Sequence, residues 1–331
     1  MGHSGESERA DEMKRPKEIT HYILVTFLVL VNGATSLCAR GDPCLNRTVA
    51  VSVATETGQP VKGLVAANFR AKFRGKTADV LSATYHTSPL RVVILLDASE
   101  SMKGIKSRLV YAALNNLVSW APQQISFAIL AFGEGVKDKV DFSTSQKEFV
   151  AKTEKLKGRY LTEIGSKTAT LDAIAEGISL LGQPQAGDSI FLISDGWENA
   201  SKTREGDVTR MLLQSGTRLF AFLVVESLGT RARTPEEAAG ALMFHGMSET
   251  TGGFTVDYAE EDHTKLSDEV RSIVREISSM VRGISEFYSL QIKLPEPPDK
   301  TRDWKLEVVD TATNKNPHLL VIYPRKLAPC P

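Results

Sequence analysis

The sequence predicts an α/β chain: a doubly wound, largely parallel sheet bracketed on both sides by short β segments. Three observations predict it. Val92–Leu96 is an unbroken apolar run that stops at Asp97, and Ile190–Ile193 is a second that leads into Ser194 and Asp195. Runs of this kind are strands buried on both faces of a sheet. Strand and helix patterns then alternate from residue 91 to about 283. Outside that span the chain shows period-two alternation, at Val49, Val51 and Val53 and again at Phe69, Ala71 and Phe73.

The elements divide the chain into 1–39, a targeting segment; 40–90, a β segment; 91–284, the α/β unit; and 285–331, a second β segment. In the first, Lys14, Arg15 and Lys17 precede the apolar run Tyr22–Val31, and small residues follow up to Ala39, the three-part layout of a secretory signal. The run is short for a membrane span, which needs about 20 residues; an uncleaved N-terminal anchor is the alternative. Met13 would start a more usual signal than Met1. Cys38 follows Leu37, where a lipobox has a small residue, so lipidation is discounted. Arg40-Gly41-Asp42 matches an integrin-recognition tripeptide but has no tight loop to present it and is read as coincidence. Asn46 and Asn199 open glycosylation sequons, which matter only in a eukaryotic secretory route.

In the 40–90 segment, turns at 57–60 and 74–76 separate three strands, the last over Val80–Tyr85. In the α/β unit, Lys103–Trp120 is a helix with Ile105, Leu109, Ala113 and Leu117 on one face. Ile125–Phe132 and Val136–Phe142 flank Gly133 and Gly135 as a hairpin, giving the sheet an antiparallel edge. Lys147–Lys157 is a charged helix and Arg159–Lys167 a polar loop. Thr168 opens a helix with Leu171, Ile174, Ile178 and Leu181 inward. Asp207–Gln214 is a short helix, Leu219–Val225 a buried strand, Pro235–Glu249 a helix and Gly253–Tyr258 a last short strand. Leu266, Val270, Ile273, Ile277, Met280 and Ile284 mark a final helix packed on the sheet. Phe287–Leu294, Trp304–Val309 and Leu319–Tyr323 are strands, expected to pair with the N-terminal ones in one accessory sandwich.

Chemistry concentrates where the first buried strand ends. Asp97, Ser99 and Ser101 offer three hard oxygen donors on a strand-to-helix loop, the edge at which open α/β sheets bind ligands. Thr168 and Asp195 stand at matching edges. Oxygen-only donor sets suit Mg²⁺, Mn²⁺ or Ca²⁺. The alternative is that Asp97, Ser99 and Ser101 merely cap the next helix, but capping accounts for neither Thr168 nor Asp195. With the Asp-x-Ser-x-Ser loop, a Thr ahead of Leu-Asp-Ala and an Asp-Gly pair in order, the chain resembles a von Willebrand factor type A (VWA) domain, which carries a metal-ion-dependent adhesion site. The resemblance is strongest over 91–200. Gly58–Leu64, Asn68-Phe69 and Gly75-Lys76 further resemble the lead-in of exported VWA-related proteins described from acidobacteria. The resemblance implies a Rossmann-like fold and an exported protein-binding module in which Asp97, Ser99, Ser101, Thr168 and Asp195 hold a divalent cation. Such an ion, under-neutralised by three hydroxyls and two Asp, would be completed by a partner's Asp or Glu. It also implies that the last helix could move on binding.

Zero net charge, with 40 basic and 40 acidic residues, gives no support for nucleic-acid binding. No Gly-x-Gly-x-x-Gly or Gly-x-Ser-x-Gly occurs, and Gly165-Ser-Lys-Thr168 lacks the glycine placement of a phosphate loop. The chain therefore reads as a binding module and not an enzyme. A metal-dependent hydrolase, with Glu163 or Glu198 as its base, and an envelope scaffold with a structural ion are the alternatives. Of three cysteines, Cys38 falls in the signal, leaving Cys44 and Cys330 to pair in an oxidising compartment. The expected location is secreted or periplasmic, with membrane contact only through an uncleaved N-terminal segment.

Overall fold

The computed structural model describes residues 44–86, 90–102, 104, 106, 114, 125–142, 147–149, 151–153, 155, 166–225, 235–259, 266–309 and 318–330, with backbone only at 236–237 and 266–270. The signal segment, the tripeptide at 40–42, Glu163 and most of the 103–120 helix lie outside the described residues; positions 106 and 114 of that helix, and the described positions of 147–155, are helical. Among the described residues, no helix is long and apolar enough to cross a membrane.

Thirteen strands form two sheets among the described residues. The first has six: β4 (Leu90–Asp97), β5 (Ile125–Phe132), β6 (Val136–Val140), β7 (Ser189–Ser194), β8 (Arg218–Val225) and β9 (Thr255–Ala259). Their order is β6-β5-β4-β7-β8-β9, parallel throughout except for β6, which pairs antiparallel with β5 as the glycine-flanked hairpin requires. Four named helices accompany it: α1 (Thr170–Leu181), α2 (Glu205–Ser215), α3 (Pro235–Thr251) and α4 (Leu266–Ser285). The pleat sends alternate side chains to opposite faces. Val92, Ile94 and Leu96 pack in one cluster with Ile273, Ile277, Met280 and Ile284 of α4. Val93 and Leu95 pack in the other with Leu171, Ile174, Leu212 and Phe244 from α1, α2 and α3. Every residue of β4 from Val92 to Asp97 is buried, which is why its sequence shows no alternation.

The remaining strands are β1 (Asn46–Thr55), β2 (Phe69–Phe73), β3 (Lys76–Tyr85), β10 (Tyr288–Lys293), β11 (Arg302–Val308), β12 (Leu319–Ile322) and β13 (Lys326–Leu327). They form one antiparallel sheet in the order β12-β1-β10-β3-β2-β11-β13. N- and C-terminal strands therefore share a sheet, as expected, but the expected two-layer sandwich is replaced by a single curled sheet. The curl follows from chain length. Six strand spacings would put β12 and β13 about 29 Å apart in a flat sheet, whereas Tyr323–Arg325 between them lets the chain reach only about 14 Å. Bending the sheet encloses its own core, with Val51, Phe73, Tyr288, Leu290, Ile292, Leu306 and Val308 inside. Cys44 and Cys330 form a disulfide with Cα atoms 5.3 Å apart and 286 positions between them in sequence.

The chain passes between the sheets twice, after His86 and after Ser285. The two crossings run side by side: the His86 amide donates to the Phe287 carbonyl at 2.8 Å, and the two rings stack 4.5 Å apart. Nearby, fully buried Arg218 donates to the carbonyls of Ile284 (2.7 Å), Gly283 (3.2 Å) and Gly187 (3.3 Å) and lies 4.4 Å from the Phe287 ring centroid. Burial lowers its pKa to about 9, partly offset by Asp188. Ser52 of β1 donates to the same Gly283 carbonyl at 3.2 Å. The free carbonyls at the end of α4 are thus taken by a cation and a hydroxyl, one from each sheet.

Candidate metal site

The strand order reverses at β4: β5 and β6 lie to one side, β7, β8 and β9 to the other. The carboxyl edge between β4 and β7 is therefore the topological switch point, where neighbouring connections diverge and leave a crevice. Asp97 is the last residue of β4, and Asp195 follows the last residue of β7. Thr168 reaches the same edge. The next residue, Ala169, donates its amide to Gly133 beyond β5, while the Thr168 amide and carbonyl are held by Asn199 and Ala200 beyond β7. The 168–169 segment thus bridges the ends of the two strands that flank β4. Ser99 and Ser101 sit on the short turn after β4, with hydroxyls 3.0 Å apart. Asp97, Ser99, Thr168 and Asp195 are buried, and Ser101 is exposed. All five residues singled out in the sequence stand at one edge.

Their carboxylates are oriented by neighbours. Asp97 Oδ1 accepts the Ser99 amide at 2.9 Å, and its Oδ2 accepts the Ser194 hydroxyl at 2.5 Å. Ser194 Oγ in turn accepts the Gly196 amide at 3.0 Å, so one hydroxyl ties both strand ends together. Asp195 Oδ1 accepts the Trp197 amide at 3.3 Å, and its Oδ2 faces the Lys106 ammonium at 3.1 Å. Burial, then the nearby Asp195 carboxylate, pushes the Asp97 carboxyl up to about 7, against the lowering effect of its Ser194 and Ser99 hydrogen bonds. Two acids held close in a buried crevice are a place where a cation is favoured. Among the described residues, no three His, Cys, Asp or Glu side chains converge. The other oxygens at this edge are hydroxyls, and Ser99, Ser101 and Thr168 would supply them to a bound cation. The donor set fits a hard divalent cation.

The loop after β7 is stitched to the start of α1. Glu198 accepts the Leu171 amide, the Ala200 and Ser201 amides and the Ser201 hydroxyl at 2.8–3.2 Å. Ser201 accepts the Asp172 amide at 3.1 Å, and Thr170 donates to the Trp197 carbonyl at 3.0 Å. The helix begins at Thr170 behind Ala169, not at Thr168. Ala169 cannot cap it, and the orphan amides of its first turn are met by the distant loop instead. Gly196, at φ +90°, packs under α3 so closely that a Cβ on Gly240 would fall 2.0 Å from the Gly196 carbonyl oxygen. Sequence reasoning missed Ser194, Lys106 and Asn199. Only the strand-end position of Ser194, next to a ligand candidate, could have signalled any of them.

Residues 92–198 match the von Willebrand factor type A domain. The matched segment spans both carboxylates and the Thr168 bridge, and lies where the motif resemblance is strongest. Solved structures similar to the chain include von Willebrand factor type A from Catenulispora acidiphila, at 12% identity over 87% of this chain and 74% of that one, with a TM-score of 0.42. A second is a conserved hypothetical protein, BatB, from Bacteroides thetaiotaomicron, at 17% identity over 58% and 99%, with a TM-score of 0.40. A third is proximal thread matrix protein 1 from the mussel byssus with a zinc-occupied MIDAS motif, at 15% identity over 63% and 49%, with a TM-score of 0.42. No curated protein matches the chain.

Proposed function

We propose that the type A domain is a metal-dependent protein-binding module whose divalent cation is held by Asp97, Ser99, Ser101, Thr168 and Asp195. The single observation that carries this reading is the convergence of two carboxylates and three hydroxyls on one sheet edge at the switch point. A bound cation would supply a Lewis-acidic coordination position that a partner's Asp or Glu can fill. The chain's own part is to hold that position ready. Ser194 and the Ser99 amide orient Asp97, the Trp197 amide orients Asp195, and the Glu198 stitch keeps the Thr168 bridge in place. The hydrolase alternative loses its described candidate base: Glu198 already accepts four hydrogen bonds within the fold, and a general base needs a free lone pair aimed at the nucleophile.

The Cys44–Cys330 bridge supports export to an oxidising compartment. The lead-in motifs at 58–64, 68–69 and 75–76 support placement with the exported acidobacterial proteins, and the self-enclosed core of the curled sheet supports its treatment as an accessory domain. Calorimetric titration of the purified chain with Mg²⁺, Mn²⁺, Ca²⁺ and Zn²⁺ tests the site; zinc is included because the mussel protein's motif holds it. The wild type should bind one ion and Asp97→Ala none. Equal affinity in the two proteins would refute the ligand assignment. A partner complex that survives EDTA would refute the adhesion reading and favour a structural ion.

A further inference from the structure

The site contains a cation that the type A motif does not account for. Lys106 is 9% exposed, and its ammonium lies 3.1 Å from Asp195 Oδ2. The side chain of Asp195 is 2% exposed and that of Lys106 11%, so the pair is almost wholly removed from solvent screening. Asp195 is also one of the two carboxylates at the switch point. With both carboxylates ionised, as a bound cation requires, Asp97, Asp195 and Lys106 together carry one negative charge where the two acids alone would carry two. We propose that Lys106 is a resident counter-cation of the metal site: it holds Asp195 in place in the metal-free protein and weakens the binding of a divalent cation there. The proposal rests on the metal reading of the site and deepens it by naming what sets its affinity.

The physics runs in both directions. In the metal-free protein a buried Asp195 without a cation would be an uncompensated charge, so Lys106 stabilises the fold. Once a divalent ion enters, the ammonium competes for the same carboxylate oxygen and repels the ion. Even with water-like screening, a unit charge several ångströms from a divalent ion changes its affinity by about tenfold, and low-dielectric surroundings increase the effect. The repulsion does not fade with added monovalent salt as that of an exposed lysine would.

Four proteins decide the point: wild type, Lys106→Met, Lys106→Gln and Lys106→Arg, each titrated with Mg²⁺ and Mn²⁺ by calorimetry and melted with and without metal. The Met and Gln variants should bind metal at least about tenfold more tightly than wild type, and Arg, which keeps the charge, should not. Metal-free Met and Gln proteins should melt below wild type, and saturating metal should close the gap. Tight wild-type binding that the Met and Gln variants leave unchanged or weaken overturns the proposal while the metal reading stands. Absence of binding in all four proteins overturns both. If the Met variant fails to fold, the Gln and Arg pair carries the same comparison.

Discussion

Replacing Cys44 and Cys330 together by serine should lower stability by roughly 3–5 kcal/mol, without loss of the candidate metal site. The bridge spans 286 sequence positions. A loop of that length restricts the unfolded chain by about 5–6 kcal/mol in the chain-entropy treatment, and measured bridges usually deliver less, nearer 2–4 kcal/mol. Local contacts hold the ends more weakly. The Arg47 guanidinium donates to the Ala328 carbonyl at 3.2 Å, the Leu294 amide to the Leu45 carbonyl at 2.8 Å, and β13 pairs with β11 over only Arg302↔Leu327 and Asp303↔Lys326. Against a total of roughly 5–15 kcal/mol for a folded domain, the loss is a large share. Urea unfolding followed by tyrosine and tryptophan fluorescence measures it. The midpoint should fall, and the slope should rise because the unfolded chain is no longer cross-linked and exposes more surface. The thermal midpoint should drop by roughly 6–15 °C. Divalent affinity should stay within about twofold, since the pair flanks β1 and β13 of the curled sheet while the five oxygen donors stand at the edge of the other sheet. A stability loss below about 1 kcal/mol would show that the unfolded chain is already confined at its ends, and the loop-closure reasoning would fail.

The metal-free fold should lose stability as pH rises from about 4 toward 7, by up to about 4 kcal/mol. The reason is that Asp97 holds its proton more tightly folded (pKa raised to about 7) than unfolded (3.8). Divalent affinity should move the opposite way, increasing with pH through about 7, and Asp97→Asn should flatten the stability slope in pH-dependent melts. Gly240→Ala should cost about 1–3 kcal/mol despite alanine's helix preference, because its methyl meets the Gly196 carbonyl; it should also weaken metal binding through the Asp195 loop, as calorimetry would show. Arg218→Met should cost about 2–4 kcal/mol in urea unfolding, because the buried Ile284 carbonyl loses its guanidinium donor while Gly283 keeps only Ser52. A near-neutral result would mean that water replaces the guanidinium.

The parts of the fold and site that could be read from sequence are those whose signal is local. β4 and β7 announce themselves as apolar runs because both of their faces are buried, and the oxygen donors stand at the ends of those runs. What escaped depends on partners far along the chain. Ser194 looks like any strand-end serine until it meets Asp97 across 97 positions. Lys106 looks like a solvated helix charge until it meets Asp195 across 89. α1 starts two residues later than its sequence pattern predicts because its first-turn amides find Glu198 and Ser201, not a preceding side chain. β13 carries two residues, too short for any periodicity. The curl of the seven-stranded sheet follows from β12 and β13 pairing at opposite ends, a topological fact that no window of sequence contains.

The side-by-side crossings have a mechanical consequence. Both covalent threads join the six-stranded sheet at one place, between β3–β4 and α4–β10, where Tyr85 and Tyr288 are paired neighbours. Leu90, the first residue of β4, lies just beyond one of them, and Asp97 ends the same strand seven residues on. Tension applied at the candidate site while the other sheet is held would therefore run along β4 as along a strut. It would load the β5 and β7 ladders in shear, all their hydrogen bonds together, and not peel them one by one. At the base the load divides between two threads. The Cys44–Cys330 bridge ties the start of β1 to the segment after β13, so neither of those strands can be drawn out of the holding sheet by its own terminus. A ligand pulling on this domain would meet its stiffest axis.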